Sequence, residues 1–186
     1  LFYDKKRPEV KIGSPVSGKV KSIVRGERRA ILEILLESDG RFESIVFTPI
    51  KDVKSVKHDV IINRLLESCC WSFIKERPFN VIPNPEVIPR DIFISGFNSA
   101  PLAPDLDVVV FGNENYIQVA IDALTHLTSG KIYLSLSTKA ASKSLHKLTG
   151  VKTKHFDGPH PAGNVGTQIN KIHPINKGEV VWTIQL

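Results

Sequence analysis

Between Asp91 and Phe156 the chain alternates short apolar runs with helical ones, and that alternation restricts its architecture more than any other feature. "DIFISGF" (Asp91–Phe97), "KIYLSL" (Lys131–Leu136) and "VKTKHF" (Val151–Phe156) read as strands. "ENYIQVAIDALTHLTSG" lies between the first two. It sets Ile117, Ala120, Ile121, Leu124 and Leu127 on one stripe, with Gly130 placed to cap the helix end. "TKAASKSLHKLTG" follows the second strand and predicts another helix, with Thr138 as N-cap and Gly150 closing it. A β-α-β-α-β order implies parallel strands with helices packed on them. The expectation for residues 90–186 is therefore a Rossmann-like three-layer α/β domain.

The first part of the chain keeps a different period. "EVKIGSPVSGKVKSIVRGERRAILEILLES" holds short alternating runs cut by Gly13, Pro15, Gly18 and Gly26. Val20, Ser22 and Val24 share one strand face, and Lys19, Lys21 and Ile23 the other. A hairpin turn is expected around Arg25–Glu27, and Ala30–Leu36 returns as the next strand. Residues 1–44 therefore read as a β-rich unit. From His58 to Phe73 the spacing turns helical, with Ile61, Leu65, Cys69 and Phe73 in register and Ile62 and Leu66 beside them. Pro78, Pro83, Pro85 and Pro89 then put four prolines into twelve residues. That density predicts an extended connector, so residues 45–89 read as a helical segment and linker. The chain contains no methionine and both ends look strand-like, so it is expected to be a piece of a longer protein.

Composition narrows the chemistry. The net charge is +6 and the pI about 9.3, but the basic residues are scattered. No arginine-rich arm or aromatic stacking platform accompanies them, so no nucleic-acid partner is expected. Cys69 and Cys70 are adjacent and read as reduced thiols. No apolar run approaches 18 residues, so no membrane-spanning helix is expected in this chain.

Known site signatures fail one by one. Gly158 and Gly163 have P-loop separation, but Asn164-Val165 stands where the lysine and hydroxyl are required. The turn after the first α/β strand, Ser95-Gly96-Phe97-Asn98, has one glycine rather than a dinucleotide fingerprint. His155, His160 and His173 lack ligand spacing. No nucleophile–base pair is visible. The reading is no catalytic residue, no metal and no cofactor held by this chain. Flavin binding through backbone alone stays open as an alternative.

"GPHPAGNVGTQINKIHP" (Gly158–Pro174) is the densest backbone punctuation in the chain. It follows the third strand, at the sheet edge where open α/β folds meet ligands. Gly158, Gly163 and Gly166 allow close backbone approach, and Pro159 and Pro161 stiffen the path. His160, Gln168 and Asn170 would offer hydrogen-bonding tips, with Val165, Ile169 and Ile172 as the nearest apolar wall. The stretch is read as a loop presenting a contact surface.

Two resemblances carry further expectations. "YDKKRPEVKIGSPVSGKV" is similar to lipoyl-type swinging-arm domains, in which Lys5 would stand at the carrier position; a lipoyl-like carrier is thus one alternative. "GPHPAGNVGTQINKIHP…VVWTI", "ERPFNVIPNPEVIPRDIFISGFNSAPLAPD" and "LTHLTSGKIYLSL" resemble the NqrA family, a component of Na⁺-translocating NADH:quinone oxidoreductases. The likeness covers nearly the whole chain. It implies a barrel-sandwich-hybrid (lipoyl-like) part without its cofactor, followed by the Rossmann-like domain. It also implies a peripheral subunit on the cytoplasmic face of the bacterial inner membrane, packed on the membrane-embedded B component. The complex couples NADH oxidation and ubiquinone reduction to Na⁺ export, with flavins and iron–sulfur centres in other subunits. A flavin- or nucleotide-binding module related to RnfC and the complex I flavoprotein is the other alternative. The family commonly has Thr-His-Ile-His where this chain has Thr167-Gln168-Ile169-Asn170, so these two positions cannot titrate near neutral pH.

Overall fold

Residues 92–96 are buried without exception, as the central strand of a doubly covered parallel sheet must be. The computed structural model describes residues 1–139 and 145–186. Its main sheet has five strands: β5 (Lys75–Arg77), β6 (Ile92–Gly96), β7 (Ile132–Ser137), β8 (Lys152–Phe156) and β9 (Val181–Gln185). Their order is β5-β9-β6-β7-β8. The β6, β7, β8 and β9 strands run parallel, and β5 joins β9 antiparallel at the edge. The three expected strands and their parallel pairing are found, with "VWTIQ" as a fourth. At the other edge, Lys152 and Lys154 point charge outward, which discourages further strand pairing. The neighbouring Lys131 ammonium lowers the pKa of Lys152.

Side-chain alternation divides the core in two. Ile92, Ile94, Ile132, Leu134, Leu136 and Trp182 face one side. There they meet α1 (His58–Glu67) through Ile61, α2 (Leu106–Val110) through Val110, and α3 (Glu114–Leu124) through Ile121 and Leu124. Phe93, Tyr133 and Val181 face the other side, under Ile169 of α4 (Val165–Ile172). Phe93 and Tyr133 stack with ring centres 5.0 Å apart. The result is helix, sheet, helix.

Three local expectations are corrected. The stretch after β8 is a loop only as far as Asn164; from Val165 it is helical. Val165, Ile169 and Ile172 are spaced i, i+4, i+7, so they form the apolar stripe of α4, from which Val165 also lines a groove and Ile169 a smaller cavity. The helix expected over His58–Phe73 stops at Glu67. Cys69 takes φ +61°, a short 3-10 turn (Cys70–Phe73) follows, and Phe73 is exposed instead of lying on the stripe. Of the helix expected between Thr138 and Gly150, Leu145–Lys147 forms a 3-10 turn, and positions 140–144 lie outside the described residues.

The stretch read as helix and linker contributes to this core directly. Trp71 and Ile74 are buried in it, and β5 extends the sheet. Trp71 Nε1 donates to the Pro83 carbonyl at 2.9 Å, which fixes the proline run against the domain. Trp182 meets Trp71 edge-on, 5.3 Å between centres. Among the described residues its own Nε1 has no acceptor. The two rings therefore predict unequal responses to phenylalanine. Trp182→Phe creates a small void but removes an orphaned donor, so its net cost in urea unfolding is expected below about 1 kcal/mol. Trp71→Phe creates a similar void and also strands the Pro83 carbonyl, costing roughly 1–3 kcal/mol more.

The N-terminal part forms two hairpins. The β1 (Phe2–Asp4) and β2 (Arg7–Ile12) strands pair antiparallel. Val10 of β2 enters the main core, and Arg7 Nη1 donates to the Ile82 carbonyl at 2.7 Å. The β3 (Gly18–Arg25) and β4 (Ile31–Ser38) strands form the second hairpin, with the expected turn between them. Several of its apolar residues, Val20, Ile23, Leu32 and Leu35 among them, are exposed, while Ile34 and Leu36 are partly buried.

Candidate functional site

The strand order reverses between β6 and β9. From β6 the chain steps outward through β7 and β8, then returns to the opposite flank of β6 as β9. In open α/β sheets a crevice opens at such a reversal, outside the carboxyl ends of the strands. Here a groove of about 1120 Å³ lies at that place.

Its floor is the α4 side of the sheet. Ser95 follows Phe93 on that face, and Thr183 and Gln185 continue it on β9. Lys75 and Arg77 follow on β5, two positions apart and so on the same side of the strand. One wall is Gly163, Asn164, Gly166 and Thr167, at the start of α4. The other includes Ser72, Asn80 and Ile82. The lining contains two cationic side chains and no acidic one. Lys75 Nζ donates to the Ser72 carbonyl at 2.9 Å. Arg77 Nε lies 3.5 Å from Thr183 Oγ1, and partial burial holds its guanidinium below its ordinary pKa. Among the described residues neither cation has a carboxylate within ion-pair distance.

The six residues expected to form a contact surface separate. Gly163 is buried at the groove wall. Its amide donates to Ser99 Oγ at 2.7 Å, and a Cβ added there would lie 2.2 Å from the Ser99 nitrogen. Gln168 is only 1% exposed. Its Nε2 donates to the carbonyls of Phe97 and Gly163, at 3.3 and 3.1 Å. It ties the turn after β6 to the turn before α4, and so is not the outward-facing tip that was expected. Gly166 lines the groove and also a smaller cavity of about 270 Å³, where it meets Asn170 and Arg77. Gly158, with φ +124°, and His160 are exposed and stand outside both linings. His160 Nδ1 is 3.5 Å from Ser99 Oγ. Lys5 sits in the exposed turn between β1 and β2, where Asp4 Oδ1 accepts from the Lys6 amide at 2.8 Å.

Lys75, Arg77, Thr183 and Gln185 went unread in the sequence. The signal was there in β9: a strand covered on both faces reads as continuous apolar residues. "VWTIQ" instead places Thr183 and Gln185 in alternation with Trp182 and Ile184, which marks a face that turns polar, buried at Thr183 and exposed at Gln185.

The sequence matches two family models in order: the NqrA N-terminal barrel-sandwich hybrid domain over residues 1–39, and the NqrA second alpha/beta domain over residues 56–186. The chain belongs to the NqrA family. It is 36% identical over 186 residues to the Na(+)-translocating NADH-quinone reductase NqrA subunit of Yersinia pseudotuberculosis serotype O:1b, a match over 99% of this chain and 41% of that relative. The corresponding NqrA subunits of Vibrio campbellii and Saccharophagus degradans are 33% and 32% identical, with the same coverage. The chain thus spans about two fifths of the length of these curated relatives. Both the barrel-sandwich-hybrid and the α/β parts expected from the sequence agree with the family. Among the described residues no helix is long and apolar enough to cross a membrane.

Proposed function

We propose that this chain works as part of the NqrA subunit of a Na⁺-translocating NADH-quinone reductase. The observation carrying this reading is the match to NqrA subunits of such reductases along 99% of the chain, with both domain models in order. In this reading the chain is a peripheral element on the cytoplasmic face of the bacterial inner membrane, resting on the membrane-embedded B component. It carries no catalytic residue and no cofactor of its own, and flavins and iron–sulfur centres belong to other subunits. The exposed rim of the Gly158–Asn170 stretch is the surface it offers, and its target is a ubiquinone head group or a partner subunit. His160 and Asn170 suit that role, since both are exposed and hydrogen-bond capable.

The test replaces both rim residues, His160→Ala with Asn170→Ala, in full-length NqrA. The expected result is a roughly tenfold loss in assembly of the complex or in NADH-quinone turnover, equivalent to about 1.4 kcal/mol, with an unchanged melting temperature. Unaltered assembly together with unaltered turnover would reduce the rim to a structural turn.

A further inference from the structure

We propose that the groove at the β6–β9 reversal is a binding site for a small anionic molecule carrying phosphate or carboxylate groups, recognised by Lys75 and Arg77. This goes beyond the role in the complex given above, which concerns the exposed rim at His160 and Asn170.

The floor carries the inference. On the opposite face of the same strands, Ile92, Ile94 and Trp182 are sealed under helices. On this face α4 covers Phe93, Tyr133 and Val181, and toward β5 the floor turns polar, through Ser95, Thr183 and Gln185. Thr183 and Ser95 are buried, their hydroxyls donating to the carbonyls of Lys75 and Phe97, so the exposed Gln185 amide and the two cations are the groups of this floor that can meet a ligand. Lys75 and Arg77 add two positive charges to one side of the floor. A carboxylate would ordinarily compensate a half-buried guanidinium, and the groove supplies none. A bound anion would supply that compensation, with the bidentate geometry that arginine favours. The volume admits a ligand as large as a mononucleotide, so the anionic group can belong to a nucleotide, a free phosphate compound or a polycarboxylic acid.

The experiment uses full-length NqrA in isothermal titration at fixed ionic strength, with pyrophosphate, ADP and citrate in separate arms. At least one is expected to bind saturably at one site. ADP binding more tightly than pyrophosphate assigns the anion to a nucleotide, the reverse order assigns a free phosphate compound, and citrate leading assigns a polycarboxylic acid. Lys75→Gln with Arg77→Gln is expected to weaken the best ligand at least roughly tenfold, by removing both charge-assisted contacts. Lys19→Gln with Lys21→Gln removes the same charge from the exposed β3 hairpin and is expected to change nothing. Gln185→Glu leaves both cations in place and adds a carboxylate to the exposed end of the floor; it too is expected to weaken binding at least roughly tenfold, and it serves if the first variant does not fold. Absence of saturable binding in all three arms overturns the proposal. So does equal weakening by the β3 variant, or undiminished binding to a folded groove variant.

Discussion

Gly163→Ala is expected to be among the most damaging single-methyl changes in this chain, lowering unfolding stability by on the order of 3 kcal/mol. The added Cβ would lie 2.2 Å from the Ser99 nitrogen and 2.8 Å from the Asn98 carbonyl carbon. Both are backbone atoms, so no side-chain rotation relieves the overlap, and the two turns must move apart. That movement would break the Gly163 amide's bond to Ser99 Oγ and draw Gln168 away from Phe97 and Gly163. Gly166, three residues on, is the internal control. It lies in α4, and a Cβ there meets nothing within 4 Å. Gly166→Ala should stabilise slightly, by about 0.5 kcal/mol, because alanine loses less chain entropy on entering a helix. Urea unfolding of the two variants should thus move in opposite directions. Equal behaviour would mean that the two turns are not held at the separation described.

The contrast also shows which parts of this fold were readable. Strands β6 and β7 were visible because burial on both faces writes an apolar run that no turn residue interrupts, whereas β8, mostly exposed at the edge, was legible from its place after Gly150 and its β-branched and aromatic residues. Helix α3 was visible through the Ile117–Leu124 stripe. Helix α4 was hidden by its own flanks: Gly158, Pro159, Pro161, Gly163 and Gly166 dominate the stretch and signal a loop. Its stripe is only three residues long, Val165, Ile169 and Ile172. Strand β5 could not be read at all. "KER" has no apolar residue and becomes a strand only through its pairing with Val181–Thr183. The groove inherits that blindness, since its two cations belong to β5. Gln168 looked like a polar tip because glutamine is usually exposed. Its burial depends on two carbonyl acceptors, one of them 71 positions away in sequence.

Asp91→Ala is expected to cost about 3 kcal/mol, because it removes a largely buried carboxylate that accepts charge-assisted and backbone hydrogen bonds at once. Asp91 immediately precedes β6, and its side chain is 5% exposed. Oδ1 accepts from the Lys131 amide at 2.9 Å, joining the start of β6 to the start of β7. Oδ2 accepts from Arg90 Nε and lies the same 2.9 Å from His173 Nδ1, just beyond the end of α4. Arg90 in turn donates to the carbonyls of His173 and Pro174 and to Glu179 Oε2. One carboxylate thus anchors two strands and the end of a helix, and alanine would leave the Lys131 amide without that acceptor and Arg90 with Glu179 as its remaining carboxylate. Asp91→Asn separates charge from shape. It preserves the acceptor for Lys131 but turns an NH₂ toward Arg90 and His173, so it should recover only part of the loss. The same cluster adds an acid dependence. The Asn176 amide, and then the Arg90 guanidinium, hold the Glu179 carboxyl below its usual range. Because its folded pKa is lowered, Glu179 contributes its stability above the ordinary glutamate pKa of about 4.3 and loses it as pH falls through the lower folded value. The difference in urea midpoint between the parent protein and a Glu179→Gln variant should therefore be full at neutral pH and shrink progressively as the pH is lowered below the ordinary glutamate range. A loss below about 1 kcal/mol for Asp91→Ala at neutral pH would show that the cluster is only a surface ion pair.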